Sequence, residues 1–130
     1  MTAPLGAGRS RLGGVVAGAL LVGQFVVLYF PDASSVPGAD LPVPFLDKLV
    51  HVGVFALPTW ALLRVVRRPG VVVGAMLAQA AVSELVQEAL LPGRGFEALD
   101  VVADVVGVGL GLVLAGHRPG RRGPRTPLLG

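Results

Sequence analysis

The chain has 130 residues, of which 53% are hydrophobic and only 15% charged, with 19 Gly and a mean hydropathy of +0.74. A soluble domain has roughly a quarter of its residues charged, so this composition excludes a water-soluble globule and points to one small membrane domain. With no Cys, disulfide frameworks, thiolate metal sites and cysteine nucleophiles are excluded. The net charge of +3 resides in short clusters between apolar runs, with few aromatic residues, so no nucleic-acid partner is expected.

Residues 12–30 are apolar except for Gln24, and 19 helical residues span roughly 28 Å, close to the thickness of a bilayer core. The run is too long for the apolar region of a cleaved signal peptide, and no small-x-small cleavage pattern follows it. An uncleaved first transmembrane helix is expected, with Gln24 as an interhelical hydrogen-bond donor. Residues 31–44 hold four prolines and the pair Ser34 and Ser35, which spell an exposed loop.

A second helix is expected over 45–66, with Pro58 removing one of its backbone hydrogen bonds. A third is expected over 70–91 and a fourth over 99–116; residues 117–130, rich in Pro, Gly and Arg, read as a disordered basic tail. The fold class is therefore an all-α membrane protein of four transmembrane helices, a single domain with its core at about 12–116.

Orientation follows from the basic residues. Arg9 and Arg11 precede the first helix; Arg64, Arg67 and Arg68 lie between the second and third; Arg118, Arg121, Arg122 and Arg125 follow the fourth. These clusters alternate sides as four spans require, so the positive-inside rule puts both termini in the cytoplasm. Lys48, Arg94 and all the acidic residues then fall toward the outer side.

Ionisable groups in a transmembrane helix cost at least about 2.5 kcal/mol near the bilayer centre, so they persist where paired or used. Three of the helices carry them at one depth. Asp47 and His51 are four apart on the second helix, and Lys48 points away from their face. Gln79, Ser83, Glu84, Gln87 and Glu88 form a stripe near the outer end of the third. Asp100 and Asp104 share a face of the fourth with Gly107 and Gly111, whose GxxxG step implies tight packing against another helix. Arg94 lies in the short loop above. The candidate polar pocket is accordingly Asp47, Lys48, His51, Glu84, Gln87, Arg94, Asp100 and Asp104.

Three roles fit these residues: a charge-balanced network that holds the bundle together, a binding site for a polar ligand or lipid headgroup, and a catalytic centre. His51 beside Asp47 has the make-up of an oriented general base. His51 with Glu84, Asp100 and Asp104 has the donor types of a divalent-cation site, but no spacing is diagnostic, and neither a metal nor a cofactor is assigned. Ser83 lacks the context of a nucleophile.

The ordered set Asp47-Lys48-x-x-His51 with Phe55, Ser83-Glu84-x-x-Gln87, Arg94, and Asp100-x-x-x-Asp104-x-x-Gly107 resembles the VanZ-like family of bacterial membrane proteins, named for an accessory teicoplanin-resistance protein. The resemblance covers about residues 45–111. It implies a multi-pass protein of the bacterial plasma membrane and cell envelope, with these polar positions as its signature, and no reaction. The leading expectation is a protein that handles or modifies a cell-wall or lipid-linked component at the outer leaflet, among membrane lipids, with a link to teicoplanin tolerance. A non-enzymatic scaffold with a structural polar network is the alternative, and a small transporter the next; the latter is disfavoured by the lack of an inverted repeat.

Overall fold

The computed structural model describes residues 5–29, 45–90 and 98–116, with side chains from Ser10 onward in the first stretch. They form four helices: α1 (Leu5–Tyr29), α2 (Leu46–Val65), α3 (Pro69–Leu90) and α4 (Ala98–Gly116). Each holds a stretch long and apolar enough to cross a membrane, beginning in α1 at Ser10. Arg94, the loop residues 31–44 and the tail 117–130 lie outside the described residues.

α1 starts seven residues before the apolar run, because a helix needs backbone continuity and tolerant residues, not apolar ones, and Arg and Ala are good helix formers. α2 ends where the Val66 amide bonds back to the Leu62 carbonyl at 2.7 Å. Pro69 then opens α3, a position where its missing N–H costs nothing. The carbonyl of Arg68 accepts from the amides of Val71 and Val72 at 3.1 and 3.3 Å, starting the hydrogen-bond ladder. At its other end α2 is entered through Phe45, in the left-handed region at φ 67° with no side-chain cap. Asp47 and Asp100 stand in the first turns of α2 and α4, where a carboxylate is favoured by the helix dipole.

The contacts define the arrangement. α2 touches all three other helices and packs most extensively on α4, whereas α1 and α4 make no close approach. Lys48 meets Asp100, His51 meets Asp104, Val52 and Phe55 flank Gly107, and Ala56 and Thr59 flank Gly111. Partners ascend together in both helices, so α2 and α4 are parallel and in a constant register. Asp100, Asp104, Gly107 and Gly111 step by four, three and four residues, the spacing of a single seam along a helix.

Glycine is required in that seam. A Cβ at Gly107 would stand 2.5 Å from the Val52 carbonyl oxygen, and one at Gly111 would stand 2.6 Å from that of Ala56. Pro58 denies its helix one N–H, while the Thr59 hydroxyl donates to the Phe55 carbonyl at 2.7 Å, so backbone and side chain share the local hydrogen bonding.

The distribution of side chains is inverted relative to a soluble protein. Leu28, Phe55, Val72, Met76, Ala80 and Val108 form a buried core, but Gln24, Thr59, Ser83, Glu84, Gln87 and Asp104 are also buried, while Val15, Val22, Leu57, Leu85, Val102 and Leu110 are exposed. In water such an apolar exterior would aggregate; facing lipid tails it is at home. The described residues are all helical apart from short connections, and four helices long and apolar enough to cross a membrane are compatible with a multi-pass membrane protein.

Candidate functional site

The starts of α2 and α4 and the finish of α3 lie at one end of the bundle, and the polar residues converge there. His51 Nδ1 lies 2.8 Å from Asp104 Oδ1. A carboxylate only accepts, so the ring nitrogen donates. Asp104 is fully buried in the seam, and its other oxygen, Oδ2, finds no hydrogen-bond partner among the described residues. Lys48 Nζ bridges Asp47 Oδ2 at 2.7 Å and Asp100 Oδ1 at 2.5 Å. Asp100 presents its second oxygen, Oδ2, 3.9 Å from His51 Nε2. Glu84, buried on α3, completes the group: one donor atom from each of His51, Glu84 and Asp100 lies within 4.8 Å of the other two.

Burial grades across the site. Glu84 and Asp104 are 2% and 0% exposed, the side chains of His51, Lys48 and Asp100 are 13%, 16% and 15% exposed, and that of Asp47 is 63% exposed. The site is thus a buried acidic floor under a partly open rim of imidazole, ammonium and carboxylate. Oriented imidazole, buried carboxylates and a cation can bind an anionic or hydroxyl-rich group, hold a metal ion, or move a proton.

Two sequence readings change in detail. The i, i+4 spacing offers Asp47 as one carboxylate that could orient His51; the structure supplies Asp104 from α4 instead and turns Asp47 outward to Lys48. The first-turn position of Asp47 lets it face solvent and the helix dipole, whereas the α2–α4 register brings Asp104 directly beside the imidazole. Lys48 faces α4 as well, by reaching along the rim to Asp100.

Gln87 belongs to another neighbourhood, where its amide donates to the Leu28 carbonyl at 2.8 Å. That carbonyl lies in the last turn of α1, where helix carbonyls lack intrahelical partners, so Gln87 secures the α1–α3 contact. Gln79 likewise donates to the Tyr29 hydroxyl at 3.2 Å. The Ser83 hydroxyl bonds back to the Ala80 carbonyl at 2.9 Å, and Glu88 is exposed. Arg94 lies outside the described residues.

Gln24 is buried between α1 and α2, yet neither of its amide atoms has a hydrogen-bond partner among the described residues, contrary to its expected donor role. It lines a groove of about 300 Å³ with Ala19, Gly23, Val50, Gly53 and Val54. An unsatisfied buried amide costs about 1–3 kcal/mol. Gln24→Leu should therefore stabilise the protein by about that much, read from thermal or denaturant unfolding in micelles; a destabilised variant would show that the amide has a partner.

No protein-family model, no curated protein and no solved structure matches the chain.

Proposed function

We propose that this chain is a VanZ-like protein of the bacterial plasma membrane, with both termini in the cytoplasm, that binds and handles a lipid-linked or cell-wall component at the outer leaflet. The observation that carries the reading is the buried His51–Asp104 pair with Glu84 beside it and the Lys48–Asp100 pair at its rim, at one end of an otherwise apolar bundle. Four-helix packing alone does not call for so many ionisable groups, because each is expensive in a membrane. Arg11, Arg64, Arg67 and Arg68 at the opposite end support an outward orientation of this one.

Carboxylates and imidazole suit the hydroxyls and amides of a sugar or peptide headgroup. Lys48, with Arg94 from the segment that follows α3 in sequence, suits its phosphate or carboxylate. The exposed apolar helix faces leave room for a lipid tail alongside.

The test has two arms in whole cells. Single Cys substitutions at Ser35 and at Arg67 are treated with an impermeant thiol reagent; labelling of the first alone is expected, and labelling of the second alone would reverse the orientation. Glu84→Gln and Arg94→Gln are then scored for teicoplanin tolerance at matched protein levels, with Gln24→Leu as the control. Tolerance should fall with each charge removed and persist in the control. Full tolerance in both charge variants would leave the polar cluster with a structural role.

A further inference from the structure

The polar end of the bundle is rich in negative charge for a site inside a membrane protein. Asp47, Glu84, Asp100 and Asp104 place four carboxylates against the Lys48 ammonium and the His51 imidazole. The rim ammonium is shared by Asp47 and Asp100, while Glu84 and Asp104 lie on the buried floor. The Asp104 carboxylate enters this cluster through Oδ1, and its Oδ2 is buried there without a hydrogen-bond partner among the described residues. Four carboxylates gathered on one ammonium and one imidazole leave a largely buried excess of negative charge, which calls for positive charge nearby.

The ligand geometry supplies the form that charge would take. A metal-bound histidine usually donates its second ring nitrogen to a carboxylate, which fixes the tautomer and aims the other nitrogen at the ion. Asp104 does this to His51 Nδ1. Nε2 then faces Asp100 Oδ2 across 3.9 Å, too far for a hydrogen bond. Two ligand atoms each about 2.0–2.2 Å from one ion stand up to about 4.4 Å apart, so this gap already suits a shared cation. One ligand atom from each of His51, Glu84 and Asp100 lies within 4.8 Å of those of the other two, at most a few tenths of an ångström beyond that limit.

We propose that His51 Nε2, Glu84 and Asp100 form a divalent-cation site, with Asp104 as the residue that positions His51. One imidazole and two carboxylates, in a chain with no Cys, make a mixed nitrogen and oxygen set suited to Zn²⁺ or Mn²⁺ and poor for soft Cu(I). Lys48 can keep Asp100 Oδ1 while Oδ2 turns to the ion, because the two oxygens face different partners. Three protein ligands leave a coordination position open on the side where His51 and Asp100 are partly exposed, as in metal sites that admit water or an anionic ligand. The site stands independently of which envelope component the protein handles.

The test uses the full chain, purified in detergent without a histidine tag, stripped with chelator and reloaded with Zn²⁺ or Mn²⁺ alone. The wild type should retain one ion per chain after gel filtration, and X-ray absorption of the zinc form should show a single imidazole among oxygen ligands. That measurement needs no variant, so a folding defect cannot obscure it. Among variants that remain monodisperse, His51→Gln and Glu84→Gln should lose at least tenfold in affinity. Asp104→Asn should lose about 10- to 100-fold, with the imidazole still in the zinc spectrum. His117→Gln should bind as the wild type does. Wild-type protein that retains neither ion, a zinc spectrum lacking imidazole, or full binding by His51→Gln would each overturn the proposal.

Discussion

Gly107→Ala should unfold the bundle or badly weaken it, while Gly109→Ala, two residues away on the same helix, should be neutral or stabilising. The added methyl at Gly107 would lie 2.5 Å from the Val52 carbonyl oxygen and 2.9 Å from the Phe55 Cβ. Neither atom can rotate out of the way, because one is backbone and the other is fixed to it. α2 and α4 would have to part by about 1 Å to restore normal contact. Overpacking of this kind costs about 1–3 kcal/mol where side chains give way, and more where backbone must move.

The consequences travel along the seam. Gly107 sits less than one turn beyond Asp104, so separating the helices there also stretches the 2.8 Å bond to His51. Gly109 has nothing within 4 Å of a built Cβ, and Ala in an exposed helical position gains up to about 1 kcal/mol of helix propensity over Gly. The same substitution thus changes sign over two residues. Unfolding in micelles, followed by the fluorescence of the single Trp, Trp60, reads both. Equal stability of the two variants would refute the seam as described.

This contrast also shows what a sequence alone can locate. The apolar runs at 45–66, 70–91 and 99–116 match Leu46–Val65, Pro69–Leu90 and Ala98–Gly116 to within a residue at each end, since hydrophobic length and Pro or Gly punctuation act locally. The start of α1 at Leu5 was hidden because helix continuation past an apolar run leaves no hydrophobic mark. In the site, the spacing of Asp100, Asp104, Gly107 and Gly111 defines one face without any knowledge of the partner. What that face meets depends on the axial register of α2 against α4, which is a tertiary quantity.

The stripe on α3 makes the same point. Gln79, Ser83, Glu84, Gln87 and Glu88 cover half a helix circumference, wide enough to face two neighbours. Glu84 turns to the His51 cluster, whereas Gln79 and Gln87 turn to Tyr29 and Leu28 of α1. Only the packing order of the helices, with α1 and α4 apart, divides them. Gln24 reads in sequence as a donor for a neighbouring helix, yet only the built interface reveals that no acceptor among the described residues meets it.

Lys48→Met should be among the most damaging changes at the site, and pairing it with Asp100→Leu should undo most of the damage. Met keeps the length and apolar stem of Lys while removing the ammonium that Asp47 and Asp100 share. Breaking a buried ion pair from one side costs about 3–5 kcal/mol, because the remaining charge stays desolvated. The lower end applies here, since Lys48 and Asp100 are 16% and 15% exposed and solvent screens part of the loss. Asp47, at 63% exposure, should contribute almost nothing. Replacing both Lys48 and Asp100 with apolar residues of similar size removes the uncompensated charge, and such exchanges are often neutral or stabilising. The double variant should therefore return to within about 1 kcal/mol of the wild type, or exceed it. Its function then separates the two accounts of the cluster. If the charges only hold helices together, the restored fold should restore the function proposed above as well. If Asp100 serves as a ligand, the double variant should be folded yet unable to hold a cation. A stable double variant that still binds one zinc per chain would exclude Asp100 from the coordination sphere, while failure to recover stability would show that Lys48 acts through contacts other than its pair with Asp100.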